Sequence, residues 1–298
     1  MKVLFQKIEF EKTSLAGTRL ALSYFMSKGI YTAVSGAMAQ TQKLETIANN
    51  LANVNTPGFK RDSQIFKEYL SAYEKEPGVV EVPRIPASIE SFYDMQGGDK
   101  SYVDVAGTYT DFQQGYLKQT GNPLDIGIEG KGFFEVLTPE GVKLTRAGNF
   151  TLDGEGRVVT KQGYPVLKDG GGGAGADPAS REIKTNGSKV SISATGEIFE
   201  GGQNLGKLSI LNVGNRDALL KTGAGLFGFK DNLNANMTVA NDSVIHQGSL
   251  EGSNVNTVRE MTDMITATRT FESTQKAIQA YDEMHKRLVN DVPKLSQG

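Results

Sequence analysis

A chain of 298 residues with 38% hydrophobic and 22% charged side chains has enough apolar material for one large core or two smaller ones. A formal net charge of −2 provides no basic footprint for general nucleic-acid binding. The absence of cysteine excludes disulfides, thiolate metal sites and cysteine nucleophiles, and only His246 and His285 can supply imidazole.

The first residues do not read as a secretory signal, because Lys7, Glu9, Glu11, Lys12 and Arg19 interrupt every apolar run. No run is long enough to cross a bilayer as a helix, so no membrane insertion is expected. From Ile30 the apolar or small residues Ile30, Val34, Ala37, Thr41, Leu44, Ala48 and Leu51 recur in steps of four and three. This heptad spacing predicts a helix over 29–56 whose narrow seam faces a partner helix. Two packings satisfy it: an intermolecular coiled coil, or a two-helix hairpin on the rest of the chain.

Near the end of that helix stand Asn49, Asn50, Asn53 and Asn55, although asparagine competes with the helix backbone. At ~100° per residue from Ile47, the apolar Leu51 and Val54 cluster with it, while Asn49, Asn53 and Asn50 fall near ~200°, ~240° and ~300°. The three carboxamides are therefore expected on an opposite, polar face, and Asn55 as a cap. Thr56 before Pro57 disfavours further helix, and Gly58 allows a turn.

Residues 57–101, carrying Pro77, Pro83, Pro86 and Gly97-Gly98, read as an extended connector. Short β-branched and aromatic runs such as "GFFEVL", "RVVTKQGYPVL" and "GKLSILNV", separated by glycine turns, predict an antiparallel β-domain over 102–246. Several motifs there mimic chemistry. "GGQNLGK" (201–207) fits a phosphate-loop spacing, but Leu208 stands where the hydroxyl belongs and a strand follows, so a hairpin is expected. Gly170, Gly172 and Gly175 fit G-x-G-x-x-G only because the run is nearly all glycine. Asp153 and Glu155 lack the twelve-residue loop of a calcium site and read as a hairpin turn. No metal or cofactor is expected, and both histidines read as structural or solvent-facing.

Residues 247–298 close the chain. Asn256 or Thr257 is the expected N-cap, with Thr257 and Glu260 at capping-box spacing. The helix that follows carries a seam through Met264, Ala267, Phe271, Thr274, Ile278, Tyr281 and Leu288 and stops at Pro293. Together the elements predict a mainly β protein with α-helical termini.

"GIYTAVSGAMAQTQKLETIANNLANVNTPGFKRD" (29–62) closely resembles the N-terminal signature of the bacterial flagellar rod and hook protein family. "QTGNPLDIGIEGKGFFEV" (119–136) and "LTRAGNFTLDGEGRVVTKQGYPVL" (144–167) resemble its β-domain, and "HQGSLEGSNVNTVREMTDMITATRTFESTQKAIQAYDEM" (246–284) its C-terminal signature. The segment "DFQQGYLKQTGNPLDIGIEG" is most similar to the proximal-rod branch, with the distal-rod branch as the alternative. The resemblance implies a structural subunit of the basal-body rod, with terminal helices paired as a coiled coil and the polar face of Asn49, Asn50 and Asn53 between subunits. It further implies partners in copies of itself and paralogous rod subunits, export by the flagellar type III apparatus, and a place in the periplasmic rod. Family members begin close to the motif at Gly29, so residues 1–28 are expected to be an extension and the mature chain to start near Met26. The competing reading is a surface hydrolase on the β-domain, for which the sequence nominates no acid/base pocket.

Overall fold

The computed structural model describes residues 30–71, 100–170, 177–185, 190–230, 233–240 and 242–291, with side chains at 67–71, 100–106 and 288–291 left aside. The expectations for residues 1–28, Gly172, Gly175 and most of 57–101 lie outside the described residues. Two helices flank a series of short strands: α1 (residues 30–52) and α2 (Thr257–Asp291). The protein is thus mainly β, with a central antiparallel domain and a helix toward each end.

The chain divides into two compact units. One contains the described residues up to Ala48, Asp62–Tyr109 and those from Met261 onward, and the other contains Asn49–Arg61 and Thr110–Glu260. The span read as a β-domain, 102–246, has its first residues, up to Tyr109, in the first unit and the rest in the second. Within and beside the span read as a connector, Asp62–Ser71 and Lys100–Thr110 form a two-stranded sheet.

The second unit is built on a six-stranded sheet. Its order is Leu219–Gly223, Leu226–Phe229, Gly141–Thr145, Phe133–Thr138, Ile210–Val213 and Met237–Val239. Successive strand residues face opposite sides, so the adjacent Phe133 and Phe134 serve two different clusters. Phe134 and Val136 join Ile126, Phe150, Val166 and Ile210 on one side. Phe133 joins Leu144, Leu219 and Phe227 on the other, where Phe112, Phe133 and Phe227 pack with ring centroids 5.5–5.9 Å apart. "GGQNLGK" is a hairpin: Gly201 and Gly202, both at positive φ, turn Glu197–Glu200 into Gln203–Lys207. Asp153 likewise closes a turn, accepting from the Glu155 amide and from Arg157.

On α2 the covered positions are Thr257, Glu260, Met264, Ala267, Phe271, Thr274, Ile278, Tyr281 and His285, in alternating steps of three and four, with Asp263 beside them. On α1 the covered band runs through Gly36, Gln40, Lys43, Ile47 and Asn50, with Ala39, Ile47 and Asn50 fully buried. That band is turned by about 100° from the expected seam. Ile30, Ala37, Leu44 and Leu51 remain half-buried at its edge, whereas Val34, Thr41 and Ala48 are exposed. The covered band is partly polar, and a count of apolar residues passes over Gln40, Lys43 and Asn50.

Candidate functional site

The features that single out one region are buried charges. Glu251, Lys60 and Glu260 are each 1% exposed and Arg146 is 5% exposed, where an unpaired charge would be very costly. They converge because three local structures end together. The strand Ser249–Glu251 pairs with Leu117–Gln119 and ends on Glu251. Gly141–Thr145 ends one residue before Arg146. The turn after α1 brings in Gly58 to Arg61.

That turn depends on Asn53 and Gly58. Asn53 donates its amide to the Asn49 carbonyl at 2.9 Å and accepts from the Thr56 hydroxyl, so it caps the helix end, the task expected of Asn55. Gly58 sits at φ 68° and donates its N–H to the Glu251 carbonyl at 2.8 Å. A Cβ there would lie 2.3 Å from the Arg146 carbonyl carbon, so no other residue fits without moving backbone.

The Glu251 carboxylate accepts from Lys60 Nζ at 2.6 Å and the Gly115 amide at 3.0 Å on one oxygen, and from Arg146 Nη1 at 2.9 Å on the other. Lys60 also donates to the Gln113 carbonyl at 2.8 Å, and Arg146 Nη2 to the Gly130 carbonyl at 2.7 Å. Arg146 lies over the Phe133 ring and Lys221 over Phe59, tying the charges to the aromatic cluster beneath. Burial pushes the Lys60 ammonium below its ordinary value, with Glu251 acting against the shift, and burial depresses Arg146 in the same way.

A second carboxylate completes the clasp. Glu260 accepts from Arg61 Nε at 2.5 Å and from Asn50 Nδ2 at 3.2 Å. Asn254 bridges the same strands of chain, accepting from the Arg61 amide at 2.7 Å and donating to the Asp111 carbonyl at 2.9 Å. The N-cap of α2 is Asn256, whose Oδ1 accepts from the Arg259 amide at 3.1 Å. Glu260 does not complete the capping box with Thr257. Its carboxylate is taken by a guanidinium, the stronger partner.

Within the single chain Asn50 is buried against Glu260. Asn49 is exposed and Asn53 half-buried. Of the expected seam on α2, Ala267 is buried, Met264, Phe271, Ile278 and Tyr281 are half-buried, and the side chain of Leu288 lies outside the described residues. Sequence reasoning missed Lys60, Arg61, Arg146, Glu251 and Glu260 as a group. Their signal was available in part: "PGFKRD" and "SLEGSNVNTVRE" place charges directly beside glycine or proline turns, where a solvated charge needs no such geometry. His246 pairs with Glu129 at 2.6 Å on the surface, and His285 is half-buried on α2. Among the described residues no three His, Cys, Asp or Glu side chains gather as a metal-binding group.

Buried charges thus fasten the turn after α1 to the start of α2 and to the strand ending at Glu251, all within the β-rich unit. Family comparisons give this arrangement a class. Residues 30–60 match the model described as "Flagella basal body rod protein", residues 127–200 the "Flagellar hook protein FlgE/F/G D1 domain", and residues 246–291 the "Flagellar basal body rod FlgEFG protein C-terminal". The chain is 34% identical over 274 residues to the flagellar basal-body rod protein FlgG of Bacillus subtilis, covering 89% of this chain and 99% of that one. It is 30% identical over 272 residues to FlgF of Caulobacter vibrioides, covering 91% and 100%, and 33% identical to FlgG of Agrobacterium fabrum, covering 86% and 96%. The chain belongs to the flagellar basal-body rod protein family. Relatives of both names match nearly all of it, so both branches anticipated from the sequence are represented.

Proposed function

We propose that this chain is a structural subunit of the bacterial flagellar basal-body rod, polymerising helically with copies of itself and with paralogous rod subunits. In this reading α1 and α2 pair as a coiled coil. The subunit reaches the periplasmic rod through the flagellar type III apparatus without a cleaved Sec signal, and serves motility by transmitting torque, not by catalysis. Asn49 and Asn53 stand near the end of α1 as candidates for polar contacts between subunits.

The observation that carries this reading is the clasp. Parts of the two segments that resemble the family's signatures are fastened together by Lys60 with Glu251 and Arg61 with Glu260. Each helix also keeps apolar side chains away from its covered band: Tyr31, Val34 and Met38 on α1 and Val258, Met261 and Ile265 on α2, the last three 75%, 48% and 55% exposed. Stripes of this kind are what neighbouring subunits cover. Mass spectrometry of purified basal bodies from the producing cells tests the reading. Peptides from α1, the β-rich unit and α2 are expected in the rod fraction, and their absence from intact rods would refute it.

A further inference from the structure

The Asn50–Glu260 contact has a position as well as a chemistry. Asn50 is the last fully buried residue of α1's covered band, and Glu260 the first fully buried residue of α2, one step beyond the half-buried Thr257. From that point α1 runs back through Ile47, Lys43 and Gln40, and α2 runs forward through Met264, Ala267 and Phe271. Counted from this hydrogen-bonded pair, the covered series steps by three, four and three on α1 and by four, three and four on α2. The two series therefore come level every two layers, after seven residues on each helix.

We propose that the buried Asn50–Glu260 pair, held from the other side by Arg61, is the register pin of an antiparallel pairing between α1 and α2, setting Ile47 against Met264, Lys43 against Ala267 and Gln40 against Phe271. A seam of small and half-polar residues specifies register poorly, because sliding by one heptad exchanges one unremarkable layer for another. Sliding with the pin in place separates Asn50 from Glu260 by ~10.5 Å and leaves a buried carboxylate short of a donor. A single buried polar contact is a well-attested way to fix helix register, at some cost in stability. Asn50 and Glu260 are positioning residues here. The inference deepens the coiled-coil part of the rod-subunit reading, but its test is made on the isolated chain and does not require a rod.

The absence of cysteine makes the test direct. Lys43→Cys with Ala267→Cys reports the pinned register, and Lys43→Cys with Thr274→Cys reports a slip of one heptad, too far for a disulfide whose Cα atoms must approach within about 7 Å. Mixing isotopically light and heavy chains before oxidation separates bonds within a chain from bonds between copies. The pinned pair is expected to close within one chain at least about tenfold faster than the slipped pair. Adding Asn50→Leu with Glu260→Leu should reduce that preference about tenfold while the thermal transition of the β-rich unit is retained. Glu260→Gln, which can still bond Asn50, should keep the preference. If the double-leucine protein fails to fold, Asn50→Leu alone serves the same comparison. The proposal is overturned if the two cysteine pairs close equally in the unmodified background, if neither closes, if the bonds form only between copies, or if removing the pin leaves the preference intact. Loss of mature rods in the cell with the register preference intact would instead count against the rod-subunit reading.

Discussion

Asn50 Nδ2 lies 3.2 Å from Glu260 Oε2 across 210 residues of sequence, and both side chains are 1% exposed. One asparagine of the N-terminal signature is therefore an internal partner for a carboxylate of the C-terminal signature. Around this contact the two signature segments are held by buried charges, which makes the clasp sensitive to the removal of single partners.

Glu251 is the most exacting position. It neutralises two buried cations, Lys60 and Arg146, so Glu251→Ala strands both. Removing one partner of a buried ion pair costs about 3–5 kcal/mol. Chemical denaturation of the full chain should show a loss of that size, and Lys60→Met should cost less because Arg146 still satisfies the carboxylate. Equal, sub-kilocalorie effects would mean that the cluster is solvated in solution.

Gly58→Ala should destabilise the same unit by more than ~1 kcal/mol, since the added carbon meets backbone and φ is positive. Gly201→Ala is the control: it also has positive φ, but nothing stands within 4 Å of its Cβ. Thermal denaturation should therefore rank Gly58→Ala as clearly the worse. The reverse order would place Gly58 outside the clasp.

How much of this was visible in the sequence depended on which force set each feature. Met264, Phe271 and Ile278 on α2 stand out in the sequence because they are apolar and evenly spaced. The covered band on α1 was not legible, because Gln40, Lys43 and Asn50 are covered despite being polar and periodicity scores only apolar residues. The strands around Phe133 and Phe134 and the Gly201-Gly202 hairpin follow from local chemistry and were legible. Glu251 with Lys60 and Arg146 was not, since each partner is local to a different segment and only the folded topology brings them together.

Lys60 gives the clasp a pH signature. Its folded pKa is lowered, chiefly by burial, while the unfolded chain titrates near 10.5. Between those two values the unfolded chain holds more protons, so this group makes stability rise with pH through that alkaline window. Side-chain carbon NMR should place the Lys60 titration below 10.5, and Lys60→Met should remove its share of the slope. A midpoint at or above 10.5 would show the ammonium to be solvated.

The two apolar stripes of α2 should respond differently to charge. Ile265 is 55% exposed, so Ile265→Asp should change the stability of the isolated chain by no more than about 0.5 kcal/mol yet reduce incorporation into rods. Ile278 lies on the covered stripe, so Ile278→Asp, like Leu44→Asp on α1, should loosen the helices in the isolated chain as well. Amide exchange of α2 and the yield of rod fractions distinguish the two effects. Normal incorporation of Ile265→Asp would remove the exposed stripe from the assembly surface.

Amide hydrogen exchange of the full chain tests most directly whether the clasp makes both signature segments part of the β-rich unit. The amides of Gly58 and Arg61, bonded to the Glu251 carbonyl and the Asn254 side chain, should open with the same free energy as the core amide of Ile126, bonded to the Gly148 carbonyl. In Glu251→Ala they should exchange faster while Ile126 stays protected. Rapid exchange at Gly58 and Arg61 in the unmodified chain, beside a protected Ile126, would contradict the clasp.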